Sequence, residues 1–87
     1  MGVIEIGKCY KHKDIEIPYV AISQENDGTF MMLRVDALMK FAANKVQPCL
    51  PDWWRISDGY AVRSGMTEID MRDIDLSAVE AVKGTIQ

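Results

Sequence analysis

Trp53-Trp54-Arg55-Ile56-Ser57-Asp58-Gly59-Tyr60-Ala61-Val62-Arg63 sets an Asp-Gly pair between two short runs of aromatic and β-branched residues. Asp-Gly tolerates the positive φ angles of a type I′ turn, so the stretch predicts a two-stranded hairpin. That hairpin would gather two indoles, a phenol and two guanidinium groups: Trp53, Trp54, Tyr60, Arg55 and Arg63. These side-chain types are enriched at contact surfaces. Adjacent strand residues face opposite sides. One tryptophan is therefore expected in the core and the other on the outer face, beside the arginines.

Upstream of the hairpin, residues 48–52 (Pro-Cys-Leu-Pro-Asp) form a stiff connector. Before it, Ala37, Leu38, Phe41, Ala42, Lys45 and Val46 recur at helical spacing. Asp36 is the expected N-cap of this helix. Gln47-Pro48 is its expected end, because a residue before proline avoids the α region. Residues 15–23 and 30–35 read as an antiparallel strand pair joined by the polar turn 24–29. Pro18 cannot donate to a ladder, so it predicts an edge or a bulge. A first strand is expected at residues 3–6. Gly7 marks a bend, and residues 8–12 continue the strand to a turn at Lys13-Asp14. Ile4, Ile6 and Tyr10 would share its apolar face.

Downstream, Ser64-Gly65 closes the hairpin. In residues 66–76, Ile69 and Met71 alternate, while Ile74 and Leu76 fall out of phase by one. That pattern favours a strand broken near Asp73 over a helix. Ser77 with Glu80 three residues later forms a capping box for a short helix, residues 78–83, with Gly84 as its C′ residue. The expected fold class is α+β: a small bent antiparallel β-sheet with one central helix and a short C-terminal helix, in a single domain over residues 1–87. In strand rhythm, about the first half of the chain resembles SH3-like barrels. The resemblance includes no family motif and carries no residue-level function.

Composition narrows the function classes. At 87 residues and 48% hydrophobic, the chain can pack a core and is not a disordered type. Six methionines suit an adaptable core or contact surface. The net charge of −3 lies wholly in the last quarter: residues 1–65 balance, and residues 66–87 hold five acidic and two basic side chains. An acidic chain repels phosphate, which disfavours general nucleic-acid capture. No stretch has the length of a membrane span, and the N-terminus lacks a signal-peptide pattern. The expectation is a cytoplasmic protein with Cys9 and Cys49 reduced, a disulfide between them being the alternative.

No catalytic constellation stands out. Cys9-x-x-His12 with Cys49-x-x-Asp52 offers four metal-ligand types. Cys9 and His12 on one strand would nevertheless point to opposite faces, and the expected role of Cys49 is a small buried hydrophobe. His12 is the one histidine available to activate either thiol, and nothing orients it. Asp70, Asp73 and Asp75 read as a solvated charged edge rather than as acid–base partners or Mg²⁺ ligands. There is neither a G-x-S-x-G elbow nor a glycine-rich phosphate loop.

The reading that follows is a non-enzyme with no metal or cofactor: a small protein-interaction domain binding a protein partner or itself. A sharper version is an inhibitor or adaptor acting on a larger protein complex, of the kind phages and other mobile elements carry. The expected contact residues are Trp53, Trp54, Arg55, Tyr60 and Arg63. One alternative is a single-stranded nucleic-acid module using the same aromatic and arginine side chains, with Lys8, Lys11 and Lys13 on phosphate. The other is a Cys/His metal protein.

Overall fold

The computed structural model describes residues 4–72 and 74–85. Val3 and Asp73, which fall in the expected first strand and at the expected strand break, lie outside the described residues. Among these residues, five strands form one antiparallel sheet: β1 (Cys9–Lys11), β2 (Tyr19–Gln24), β3 (Phe30–Arg34), β4 (Trp53–Ile56) and β5 (Thr67–Ile69). Their order is β4-β3-β2-β1-β5, which leaves β4 and β5 at the two edges. The described residues also form three α-helices: α1 (Val35–Asn44), α2 (Asp58–Arg63) and α3 (Leu76–Lys83). The α+β class is as the sequence predicts. The linear strand order does not confirm the SH3-like layout.

Both faces of the sheet are covered, which is why Tyr19-Val20-Ala21-Ile22 is apolar at every position. On one face Cys9, Val20, Ile22 and Leu33 pack against Leu38 and Phe41 of α1 and Val79 and Val82 of α3. On the other, Tyr10, Ala21, Phe30, Met32 and Ile56 pack beneath Ile4, Ala61 and Met66. β2 and β3 pair as expected around the turn at 25–29. There Asp27 Oδ1 accepts both the backbone N–H and the hydroxyl of Thr29, at 3.0 and 2.6 Å. The irregularity that Pro18 suggested falls later, between Ala21 and Ser23, where the register shifts. Pro18 itself precedes the strand, and its carbonyl accepts from Val35 N at 3.0 Å.

The Asp58-Gly59 hairpin is not formed. β4 ends at Ile56, and Asp58–Arg63 is α2. Ser57 is its N-cap, with Oγ accepting the Tyr60 N–H at 3.1 Å. Gly59 does not take positive φ, whereas Gly7, Gly28 and Gly65 do. The helix prevails because it seats Ala61 on the sheet with no exposure, and because Asp58 Oδ1 accepts from Ile4 N at 3.1 Å. Gly65, at φ 75°, then turns the chain toward β5.

Other boundaries also moved. Residues 4–8 are not a strand: Lys8 N donates to Glu5 O at 3.2 Å, Gly7 bends at φ 88°, and Tyr10 Oη accepts Glu5 N at 2.7 Å. Ile6 is exposed rather than sharing the apolar face of Ile4 and Tyr10. β2 begins at Tyr19, not at Ile15. Asp36 does not cap α1, which starts at Val35; its carboxylate instead takes two bonds from the Arg34 guanidinium, at 2.9 and 3.1 Å. The helix stops before Pro48 is reached, at Lys45, which adopts a left-handed φ of 58° and donates to Phe41 O. Asp75, not Ser77, caps α3: Oδ1 accepts from Ser77 N at 2.9 Å and from Ser77 Oγ at 2.6 Å. Gly84 keeps a right-handed φ of −66°.

Candidate partner-binding surface on the β4 edge

β4 exists because Trp53, Trp54 and Ile56 fit a pleated, half-buried ribbon. A short 3-10 turn, Leu50–Asp52, delivers the chain to it, with Pro51 in the turn and Asp52 Oδ2 accepting Cys49 N at 2.8 Å. The strand pairs with β3 in the register Leu33↔Trp53, Met32↔Trp54, Met31↔Arg55 and Phe30↔Ile56. Its other side pairs with no strand among the described residues. An edge strand presents a row of backbone donors and acceptors to whatever lies alongside it.

The tryptophans divide as the pleat requires, but not into one inside and one outside. Both are half-buried, each against a different core. Trp53 packs on the face covered by α1 and α3. Trp54 packs on the α2 face within a knot of aromatic rings. Its ring lies 5.3 Å from Tyr19, 5.6 Å from Tyr60 and 5.9 Å from His12, with the two tyrosines edge-on. His12 also stacks on Tyr60 at 6.3 Å. Edge-on aromatic pairs of this spacing each add about 0.5–1.5 kcal/mol beyond area burial. The knot is thus a structural unit as well as a surface.

A groove flanks the strand on each side. On the Trp53 side, a hollow of about 590 Å³ is lined by Glu25, Met31, Gln47, Pro48, Leu50, Trp53, Arg55 and Thr85. On the Trp54 side, one of about 370 Å³ is lined by Thr29, Trp54, Arg55, Ile56, Ser57 and Tyr60. Arg55 borders both, and its Nη2 meets Glu25 Oε1 at 3.3 Å. The pair is solvent-accessible, so it contributes at most about 1 kcal/mol. Its larger effect is to hold the guanidinium along the strand edge. Leu50, 86% exposed, rims the larger groove as an apolar side chain with nothing over it.

Of the expected contact residues, Trp53, Trp54, Arg55 and Tyr60 come together around β4. Arg63 does not line either groove. It stands in the last turn of α2, where its charge complements the helix dipole, and its guanidinium curls back over Gly59. Sequence reasoning missed Leu50, Glu25 and Tyr19. The Pro-Cys-Leu-Pro spacing around Leu50 was the one local signal available, since a leucine between two prolines has little backbone freedom to turn inward.

The residues weighed for chemistry are scattered. Cys9 sits in the helix-side core, and burial pushes its thiol up to about 11, so it is protonated at neutral pH. Cys49 is exposed in the connector rather than buried, and both thiols are free. His12 is buried among the α2-side rings, with Nδ1 accepting the Asp14 N–H at 3.0 Å. That bond places the proton of a neutral ring on Nε2. Asp70 pairs with Arg72 and Asp75 caps α3, while Asp73 lies outside the described residues. Among the described residues no three His, Cys, Asp or Glu side chains converge on a metal-sized site. No helix among them is long and apolar enough to cross a membrane. The chain matches no family model, no curated protein and no solved structure.

Proposed function

We propose that this is a non-catalytic protein-interaction domain that docks through the β4 edge, acting as an inhibitor or adaptor on a larger protein. One observation carries the reading: a strand with an open edge has a half-buried tryptophan and a groove on each side of it. An extended segment laid along that edge gains main-chain hydrogen bonds from the strand and side-chain contacts from both grooves. Tryptophan, tyrosine and arginine are the side chains from which interface hot spots are built. The single-strand nucleic-acid reading has less support. The rings of Trp54, Tyr19 and Tyr60 are engaged edge-on with one another rather than laid out as a stacking platform, and Arg55 already faces a carboxylate.

The test is capture from the source cells on the immobilised chain. It is followed by identification of what is retained and calorimetric titration of that protein, purified, against wild type, Leu50→Asp and Arg55→Glu. Both substitutions fall on exposed side chains and leave the cores intact. The expected result is saturable binding by wild type, weakened at least tenfold in both variants. Equal affinity for all three chains would overturn the reading.

A further inference from the structure

The opening on the β4 edge is shorter than the strand. Val35 N donates to Pro18 O and Ala21 N to Lys8 O, so the main-chain groups of Leu33 face β2 and those of Met32 face β4. Met32 pairs with Trp54, which therefore bonds inward to β3, while Trp53 and Arg55 turn their main-chain groups outward. The chain itself closes both ends. Trp53 N–H donates to Leu50 O of the 3-10 turn, and Ser57 O accepts from Ala61 N in α2. Within β4 the outward groups left are Trp53 O, Arg55 N–H and Arg55 O.

Resting on the docking reading above, we propose that this opening takes a three-residue extended segment of the partner protein, antiparallel to β4, with a carboxylate side chain first and apolar side chains second and third. A donor between two acceptors at strand spacing is the complement of a peptide main chain. The first residue exchanges two bonds with Arg55, the third donates its N–H to Trp53 O, and the main-chain groups of the second point away. A longer strand would run into the 3-10 turn at one end and α2 at the other. The brevity of β4, its Arg55 and the preceding Pro51 act in the same sense, since short, charged, proline-flanked edges keep long strands off.

The two hollows set the direction. Residues directly opposite in an antiparallel pair share a face. The first and third side chains then enter the hollow of about 590 Å³ on the Trp53 side, and the second enters the hollow of about 370 Å³ beside Trp54 and Tyr60. A parallel segment would send two side chains into the smaller hollow and one into the larger. The first side chain lies opposite Arg55, which is 57% exposed and meets Glu25 through Nη2. Opposite charges facing each other across a ladder are favourable, so a carboxylate fits there. The third side chain lies opposite Trp53 and covers Leu50.

The probe is the capped peptide acetyl-Ala-Glu-Val-Leu-Ala-amide, titrated into the isotope-labelled chain by nuclear magnetic resonance. Saturable shifts at the amides of residues 53–57 are expected, with a midpoint near about 1 mM. N-methylation of the peptide leucine removes the donor to Trp53 O and is expected to weaken binding about tenfold. N-methylation of the valine, whose N–H points away, is expected to leave it unchanged. A peptide with lysine in place of glutamate should bind wild type more weakly and Arg55→Glu more tightly. A nitroxide on the peptide's C-terminal end should broaden Leu50 and spare Tyr60. In the free chain, the Arg55 amide should exchange with solvent faster than those of Trp53, Trp54 and Ile56. No saturable shift up to about 10 mM, equal weakening by the two N-methyl groups, or slow exchange at Arg55 would overturn the inference. If the peptide fails while a captured protein still loses affinity on Leu50→Asp substitution, this inference alone is removed. If the captured protein is also indifferent to that substitution, the docking reading falls with it.

Discussion

Ser57 Oγ accepts the backbone N–H of Tyr60 at 3.1 Å, and Ser57 O accepts from Ala61 N at 3.0 Å. These two bonds convert a chain leaving β4 as a strand into the first turn of α2. They also set the position of Tyr60 against Trp54, and so the wall of the smaller groove.

Gly59 gives a direct test of helix against hairpin. In a type I′ turn its positive φ would make alanine costly, whereas in a helix alanine is favoured over glycine by up to about 1 kcal/mol. A Cβ at this position crowds the flexible tip of Arg63, at 2.9 Å, and otherwise makes an ordinary contact with Ser57 Oγ at 3.9 Å. Gly59→Ala is therefore expected to raise stability by about 0.5–1 kcal/mol, and Ser57→Ala to lower it by about 1 kcal/mol. Urea titrations of the two variants check both signs. Destabilisation by Gly59→Ala would contradict the helix.

The tryptophans are expected to respond alike in stability, because each is half-buried against its own core. Trp53→Ala and Trp54→Ala should each cost about 2–3 kcal/mol, below the 3–5 typical of a fully buried aromatic. Their spectra should differ. Trp54→Ala is expected to abolish the aromatic circular dichroism of the coupled rings, and Trp53→Ala to leave most of it. Equal loss of near-ultraviolet signal in two folded variants would contradict the separation into two cores.

Acid should weaken the fold through specific carboxylates. Asp36 is held below the usual carboxylate range chiefly by the Arg34 hydrogen bond, Asp75 by the Ser77 hydroxyl, and Asp27 by the Thr29 hydroxyl. A depressed folded pKa means stability that is fully present above the unfolded value of about 3.9 and lost as pH falls through the lower folded value. Melting temperature should hold steady from neutrality to about pH 5 and then fall. Asp75→Asn should be less stable at neutrality and show a shallower acid decline. An unchanged decline would mean that Asp75 plays no part in it.

The two thiols should separate cleanly. Cys9 is 3% exposed with its thiol raised to about 11, while Cys49 is exposed. Brief iodoacetamide treatment at pH 8 should add one group, on Cys49, with the second appearing only in denaturant. Peptide mass spectrometry reads the site, and alkylation of Cys9 in the folded chain would contradict its burial.

Much of the fold was legible because local patterns and tertiary demands agreed. The β2–β3 pair, its polar turn and the amphipathic stripe of α1 each required only neighbours in sequence. The hairpin reading failed at Asp58-Gly59, where two local codes compete for the same residues. Asp-Gly suits a tight turn, and Ser-x-x before Tyr60 suits a helix cap. The choice depends on whether Ala61 has a surface to pack on. In the docking surface, the chain order placed Trp53 beside Trp54, but not Glu25 on the Trp53-side groove, since Glu25 reaches it from the turn after β2.

The sequence by itself determined the α+β class, the central strand pair, the acidic tail and the opposite orientation of adjacent tryptophans. Each of these rests on composition or on a spacing of a few residues. Tertiary structure alone decided that β4 is an edge, that both sheet faces are covered, and that the Asp-Gly segment is helical. Strand order and helix choice depend on burying apolar area contributed by residues far apart along the chain. The resulting surface, with an open strand between two grooves, is a property of that packing rather than of any one stretch.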